Sequence, residues 1–229
     1  MTGSTRSSRV ILFDVIETLF SLAPLKKRFT NNGATEADAD LFFAQLLRDA
    51  FALSSAGVFR PFPEIAGGTL TVLLESRKHG NVDAAVKDIL SVFGELPAHP
   101  DVKPALEAVA RSGARAVLLT NGSRANTEKL VARAGLSDLV DDVISIEDFQ
   151  IWKPRAEVYL EACRRCGTGP EDTTLIAAHA WDVHGAMEAG LDGVWVKRQE
   201  RVYHNLMGQP EGLANSLPQA VSMALDSSL

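Results

Sequence analysis

Cysteine is scarce in this sequence of 229 residues, and long apolar runs are missing. The two cysteines, Cys163 and Cys166, cannot build a disulfide framework, and two thiolates cannot complete a tetrahedral zinc site by themselves. This cysteine usage favours reduced thiols in a cytoplasmic protein. No apolar stretch approaches the ~18 residues that a membrane-spanning helix requires, so we expect no membrane partner.

Basic residues are also fewer than acidic residues. The chain has 23 Lys and Arg residues against 29 Asp and Glu residues, a formal net charge of −6. A nucleic-acid-binding protein normally presents a basic face, so we expect no nucleic-acid partner. Hydrophobic residues make up 46% of the sequence, which is enough for a substantial core and argues against disorder over most of the chain.

Short, continuously apolar segments recur along the sequence and predict strands that are buried on both faces of a parallel sheet. Helical patterns separate them, and several of these patterns end at a glycine. This alternation predicts an α/β fold with a doubly wound, Rossmann-like parallel sheet. The predicted strands are Arg9–Phe13, Arg115–Leu119, Thr174–Ala178, Gly193–Val196 and a weaker Asp142–Ile146; the predicted helices between them are 100–112, 124–134, 154–166 and 182–189.

Residues 21–96 break this alternation, because they contain amphipathic stretches and no convincing buried strand. The stretches are Thr35–Ser54, Ile65–His79 and Asp83–Phe93. We therefore predict a core domain formed by residues 1–20 and 97–229, with a helical cap domain of residues 21–96 inserted over the carboxyl edge of the sheet. The tail after Arg198 is expected to end in a helix from about Leu217.

Polar residues follow the predicted strands where each one ends. They are Asp14, Thr120 with Asn121, Lys153 and Asp182. Asp, Thr and Asn also serve as helix caps in such loops, which would explain any one of these positions. Ligands of open parallel sheets bind outside the carboxyl ends of the strands, so the convergence of all of them on one edge indicates a functional site.

Four motifs in order resemble the haloacid dehalogenase superfamily: Phe13-Asp-Val-Ile-Glu-Thr-Leu19, Leu119-Thr-Asn-Gly122, Trp152-Lys-Pro154 and Ala180-Trp-Asp182. Within that superfamily, the Lys-Pro pair followed by Tyr159 and the Trp-Asp pair are most similar to the type II (L-2-haloacid) dehalogenases. The resemblance covers nearly the whole chain, including the position of the cap, and it implies a hydrolase.

The resemblance implies four catalytic residues. Asp14 is the nucleophile, which forms a covalent ester that water then hydrolyses. Lys153 keeps Asp14 ionised and oriented. Thr18 hydrogen-bonds near Asp14 and helps to fix its side chain, and Asp182 positions the surroundings of the nucleophile or prepares the hydrolytic water.

The resemblance also implies residues that contact the substrate, an anionic small molecule. Thr120, Asn121 and neighbouring backbone N–H groups would hold its negative charge. Tyr159 corresponds to a family tyrosine near the lysine, although a tyrosine in a helix core is an equal alternative. Ile16, two residues after the nucleophile, completes this part of the site.

Ile16 also bears on the reaction. Phosphatases of the superfamily carry a second aspartate at this position, which protonates the leaving alkoxide. An alkoxide needs general acid help to leave, whereas a halide does not. Ile16 therefore favours displacement at carbon and predicts a hydrolase that cleaves the carbon–halogen bond of a short 2-haloacid through an ester on Asp14, with no cofactor and no metal ligands.

Three departures from the dehalogenase pattern leave other interpretations of the function open. Glu17 stands where dehalogenases usually have glycine, and Ala44 stands at the place of the cap arginine that binds the substrate carboxylate and halide. Arg48 is the first candidate to replace that arginine, and Arg60 is the second. His179 takes the place of an asparagine, either as a donor to Asp14, as a base that orients water, or as a loop histidine with no such role.

Two alternative functions follow. One is a Mg²⁺-dependent phosphatase of the same superfamily, with the metal bound by Asp14, Asp182 and the carbonyl of Ile16. The other is a catalytically degraded binding protein, suggested by Glu17 and Ala44 together with Ala177. Dimerisation is common in the resembled family, so a homodimer is an open alternative for the assembly.

Overall fold

The computed structural model describes residues 9–226 and contains one six-stranded sheet. All neighbouring strands are parallel, in the order β3-β2-β1-β4-β5-β6. This arrangement confirms the predicted doubly wound α/β class. The strands are β1 (Val10–Phe13), β2 (Arg115–Thr120), β3 (Asp142–Ser145), β4 (Thr173–Ala177), β5 (Asp192–Val196) and β6 (Gly212–Ala214).

The central strands are buried because helices cover both faces of the sheet, which is why they read as continuous apolar segments. Every residue of β1 and β4 is buried. Strand β6 was missed by the sequence prediction because three residues, Gly-Leu-Ala, carry too little pattern. It forms by pairing with the edge of β5, in the register Val194 with Gly212.

Five α-helices lie between β1 and β2, and the first four are α1 (Ala23–Asn31), α2 (Glu36–Ser55), α3 (Phe62–Ser76) and α4 (Val82–Ser91). These four form the cap. The boundaries of the cap at residues 20/21 and 96/97 stay a prediction. Helix α1 was not predicted, because Leu25 and Phe29 are its only buried residues and supply a weak apolar pattern. Helix α3 begins before the predicted Ile65, since Pro61 and Pro63 favour a helix start there.

The remaining helices are α5 (Val102–Ser112), α6 (Arg124–Arg133), α7 (Ala156–Cys166), α8 (Ala180–Glu188) and α9 (Leu217–Asp226). They cover the sheet largely as predicted. Helix α8 starts two residues earlier than expected, so Asp182 lies in its first turn rather than at its beginning.

The order of the strands reverses next to β1, because the chain proceeds from β1 to β2 and β3 on one side and continues from β4 to β6 on the other. Such a reversal opens a crevice at the carboxyl ends of the two strands that flank it, here β1 and β4. A cleft of about 1280 Å³ lies between cap and core at this edge, lined by residues of α1 and α2 and by the segments after β1, β4 and β5. Within residues 9–226, no helix is long and apolar enough to cross a membrane.

Candidate active site

The carboxylate of Asp14, directly after β1, is the centre of the site. Its Oδ1 accepts a hydrogen bond from Lys153 Nζ at 2.8 Å, and its Oδ2 accepts one from Thr18 Oγ1 at 2.6 Å. Burial alone would raise the pKa of Asp14, but the charge of Lys153 and the bond from His179 hold that pKa well below its usual value. Asp14 is therefore ionised at neutral pH although it is almost entirely buried.

Lys153 is the buried cation that makes this possible. Its ammonium group donates to Asp14, to Asp182 Oδ2 at 2.6 Å and to the carbonyl of Leu119 at 3.1 Å, so all three of its N–H groups have acceptors. Burial would lower the pKa of Lys153, but the two carboxylates raise it. The lysine stays charged between two acids that strand β1 and helix α8 bring to the same point.

Asp182 is held from its other side by Tyr159. The tyrosine hydroxyl donates to Asp182 Oδ1 at 2.5 Å and lies 3.2 Å from the carbonyl oxygen of the same residue. Tyr159 is fully buried, and burial together with Asp182 raises its pKa well above the usual value. The phenol therefore acts on Asp182, and its position fits a positioning role better than the substrate contact that the resemblance implies.

Thr18 joins the loop after β1 to the end of β4. Besides donating to Asp14, its hydroxyl accepts a hydrogen bond from the backbone N–H of Ala178 at 2.9 Å. Its carbonyl accepts from the Arg198 guanidinium, which also makes a two-pronged ion pair with Asp101. These contacts fix the loop that carries Asp14 against the segment after β5.

His179 lies between the carboxylates of Asp14 and Glu17. Its Nδ1 is 3.2 Å from Asp14 Oδ2, and its Nε2 is 2.9 Å from Glu17 Oε2. Burial would lower the pKa of His179, but its hydrogen bonds and the two negative charges raise it to about 10. At neutral pH the imidazole is a cation that donates from both ring nitrogens, which matches the donor role considered for this residue.

Thr120 and Asn121, the candidates for anion binding, lie at the end of β2 beside Lys153. Thr120 is buried, and its hydroxyl accepts from the backbone N–H of Gly122 at 2.9 Å. Asn121 Oδ1 accepts from the backbone N–H of Lys153 at 3.2 Å. Both side chains shape the loop after β2, and their contact with substrate stays a prediction.

The structure separates the two arginine candidates of the cap. Arg48 lines the cleft that contains Glu17 and His179, where its guanidinium pairs with Asp49 at 2.7 Å. Arg60 lines a different cavity beside Trp152, to whose indole N–H its carbonyl is hydrogen-bonded. Only Arg48 of the two is therefore near the predicted site.

Ala44, at the place of the family arginine, lies one helical turn before Arg48 and faces the same cleft. Ile16 is partly buried and packs against the core, between the nucleophile and Glu17.

Two contributors to the site were not assigned from the sequence. Glu17 was recognised only as a departure from a glycine, and Arg198 was treated as the start of the tail. Arg198 follows β5 by two residues, so the strand-end rule that found Asp14 would also have found it. The role of Glu17 could not have been found in this way, because its partner His179 is 162 positions away in the sequence.

We compared the sequence and the fold with those of known proteins. The sequence profile of the haloacid dehalogenase-like hydrolases matches residues 9–190. This chain belongs to that family. It is thus a hydrolase of the haloacid dehalogenase-like type, and the sequence resemblance is confirmed.

Relatives of this haloacid dehalogenase-like hydrolase align with most of its length. The (S)-2-haloacid dehalogenase 4A of Burkholderia cepacia is 26% identical over 196 residues, which cover 84% of each chain. The solved L-2-haloacid dehalogenase RSc1362 superposes with a TM-score of 0.89 at 22% identity, over 95% of this chain and 98% of that one. The L-2-haloacid dehalogenase of Xanthobacter autotrophicus, solved with chloropropionic acid covalently bound, has a TM-score of 0.87 at 18% identity, over 96% and 99%.

Proposed function

We propose that this hydrolase is a 2-haloacid dehalogenase that uses Asp14 as its nucleophile. The observation that carries the proposal is an ionised Asp14 carboxylate at the switch point of the sheet with the apolar Ile16, rather than a proton donor, two residues further on. A halide leaves without a proton, so this site supplies what carbon–halogen cleavage needs. The names of the relatives point to the same reaction.

The first step is displacement at carbon 2. Among the described residues, Asp14 Oδ1 accepts one side-chain hydrogen bond, from Lys153, whereas Oδ2 accepts two, from Thr18 and His179. Oδ1 therefore keeps a lone pair that can attack. It forms the new carbon–oxygen bond, and the halide departs with the electron pair of the carbon–halogen bond. The product of this step is an ester on Asp14.

The second step is hydrolysis of that ester, and we assign His179 to it. Esterification removes the negative charge of Asp14, which is one of the causes that keep the imidazole protonated. The imidazolium can then lose its Nδ1 proton to solvent in the cleft, while Glu17 retains the hydrogen bond from Nε2. Neutral Nδ1 takes a proton from water as the water oxygen attacks the ester carbonyl. The imidazolium gives this proton to the departing oxygen of the 2-hydroxyacid. The proton that remains on the Asp14 carboxyl then passes to Nδ1, which restores the Asp14 carboxylate and the His179 cation.

The Mg²⁺-dependent phosphatase is the weaker alternative, because the donor set does not suit the metal. Both oxygens of Asp182 are engaged, one by Lys153 and one by Tyr159. Among the described residues, no group of three or more His, Cys, Asp or Glu side chains is arranged to hold a metal ion. We therefore route no step of the reaction through Mg²⁺.

The test is halide release from 2-chloropropanoate in buffer that contains EDTA. We expect halide and 2-hydroxypropanoate in equal amounts, and a trapped ester on the Asp14 peptide in mass spectra of rapidly quenched enzyme. A single turnover in ¹⁸O-labelled water should place the label in the Asp14 carboxylate. Asp14→Asn should release no halide, while Glu36→Gln, a carboxylate change in the same cleft, should retain the activity. Hydrolysis of p-nitrophenyl phosphate that EDTA abolishes, without halide release, would overturn the proposal.

A further inference from the structure

One wall of the active-site cleft is an apolar surface that the proposed reaction does not use. Three side chains of α2, Phe43, Leu47 and Phe51, line the cleft at intervals of four residues, so they lie on one face of the helix. From the first to the last, this face extends about 12 Å along the helix axis. All three side chains are partly exposed in the cleft, whereas Phe42 of the same helix is fully buried.

The apolar wall begins at the reacting centre. The ring of Phe43 lies 6.3 Å from the ring of His179, whose Nδ1 contacts the nucleophile. The His179 ring stacks on Trp181 at 5.3 Å between ring centres, and Trp181 in turn meets Phe51 edge-on at 5.0 Å. A path of contacting rings therefore leads from Asp14 along the cleft to the last turns of α2.

The cleft is also larger than a short 2-haloacid requires. Its volume of about 1280 Å³ exceeds the range of about 300–1,000 Å³ typical of sites for drug-sized ligands. Ala44 contributes to this space, because it faces the cleft between Phe43 and Leu47 and has no side chain beyond its Cβ atom. A substrate with a longer carbon chain would bury the wall that a two- or three-carbon acid leaves in water.

Three of the four Lys and Arg side chains that line the cleft form ion pairs with acidic residues. Lys26 is paired with Asp40 at 2.9 Å, and Arg48 with its neighbour Asp49 at 2.7 Å. Arg198 is paired with Asp101 at 2.8 Å. These three cations already have acidic partners, whereas Lys27, which also lines the cleft, is an exposed side chain of α1. The apolar wall therefore remains the larger feature of the cleft that the proposed reaction does not use.

We propose that the apolar wall binds the alkyl chain of the substrate, so that medium-chain 2-haloalkanoates are better substrates than haloacetate or halopropanoate. This inference rests on the proposed dehalogenase function and specifies its substrate class. At roughly 1.2 Å per bond of an extended chain, a wall of about 12 Å accommodates a chain of up to about ten carbons. Ala44 is then a residue that determines chain-length specificity.

Halide release tests the proposal through the ratio of kcat/KM for (S)-2-bromooctanoate to that for (S)-2-bromopropanoate. We expect a ratio of at least ten, because each methylene that enters an apolar pocket contributes measurably to discrimination. Ala44→Phe, which fills the cleft beside the wall, should lower this ratio at least tenfold. The matched control is Ala52→Phe, on the same helix but outside the cleft, which should keep the ratio within about twofold. A wild-type ratio at or below one, or a ratio that Ala44→Phe leaves unchanged, would overturn the inference.

Calorimetric binding of the unhalogenated acids to the Asp14→Asn variant separates this inference from the proposed function. Octanoate should bind at least tenfold more tightly than propanoate, and Ala44→Phe should abolish the difference. Chain-length-dependent binding without halide release from either substrate by the wild type would refute the dehalogenase function and support the apolar subsite. Equal binding of the two acids would refute the subsite, whatever the outcome for halide release.

Discussion

Glu17 Oε2 and His179 Nε2 lie 2.9 Å apart, and each residue stands where the sequence departs from the type II dehalogenase pattern. The two residues that depart from the pattern are therefore in direct contact with each other. A carboxylate replaces a glycine, an imidazole replaces an asparagine, and together they form a hydrogen-bonded pair that reaches Asp14 through His179 Nδ1. Taken alone, Glu17 was one of the residues that suggested a degraded site, whereas the pair of Glu17 and His179 adds a group that can transfer a proton.

Replacing Glu17 by glutamine should slow ester hydrolysis more than ester formation. The amide keeps the size of the side chain but removes the charge that orients His179 and favours its acceptance of a proton. We expect kcat to fall about a hundredfold, within the range that positioned acid–base groups contribute. Rapid-quench measurements should show a burst of halide equal to the enzyme concentration, followed by slow turnover.

The control for this variant is Glu36→Gln, which changes a carboxylate of the same cleft on the first turn of α2. It should show the same time course of halide release as the wild type and a kcat close to that of the wild type. If Glu17→Gln slows the release of the first equivalent of halide as strongly as the later ones, Glu17 acts on the first step and the assignment of His179 to hydrolysis is wrong.

Glu17 also occupies a backbone conformation that favours glycine, with φ of +65°. A side chain in this left-handed region costs about 1–2 kcal/mol, so Glu17→Gly should be more stable than Glu17→Ala by about 1 kcal/mol in urea denaturation. Both variants lack the carboxylate, and both should lose activity to the same extent. At Glu36, in the first turn of a helix, the order of stability should be reversed, because alanine has the higher helix propensity there. Equal stability of the two Glu17 variants would argue against backbone strain at this position.

Lys153→Met should affect stability and catalysis together, because it leaves the buried carboxylates of Asp14 and Asp182 without their shared cation. Breaking a buried ion pair from one side costs about 3–5 kcal/mol, measurable as a lower urea midpoint. The pKa of Asp14 should rise, so that the activity that remains in this variant should fall as the pH is lowered. Lys26→Met breaks only the exposed pair with Asp40 and should leave the urea midpoint unchanged. An unchanged pH profile of Lys153→Met would contradict the proposed role of the lysine.

The elevated pKa of His179 makes the stability of the protein depend on pH. The folded-state pKa is about 10 and the ordinary value is about 6.5, so between these values the folded state binds the extra proton. The stabilisation by this charge is complete below about pH 6.5 and is lost as the pH rises through about 10. The free energy of unfolding should therefore decrease across this window.

Urea denaturation at several pH values measures this slope. His179→Gln should reduce it, because glutamine does not titrate. His184→Gln changes a partly exposed histidine of α8, five residues after His179, and should keep the wild-type slope. If His179→Gln retains the full slope, another group is responsible for the pH dependence.

The sequence by itself determined five strands of the sheet and located Asp14 and the buried cation Lys153 at its edge. Buried parallel strands must be continuously apolar, so their ends could be located, and the polar residues at those ends had to meet at one edge. Asp14, Lys153 and Asp182 followed from this rule together with the family motifs. Helix α1 and strand β6 could not be predicted in this way. Helix α1 has only two buried apolar residues and β6 has only three residues, so neither carries enough periodicity. Both elements are stabilised by the neighbouring elements they pack against or pair with.

Tertiary structure decided which residues act as partners. No local pattern joins Glu17 to His179, places Arg48 rather than Arg60 in the cleft, or turns Tyr159 towards Asp182. Each of these relations connects segments that are distant in sequence, and each depends on how the cap and the loops after β1, β4 and β5 pack against one another. Sequence periodicity reports which face of an element is buried, but only the packed structure determines which side chain that face meets.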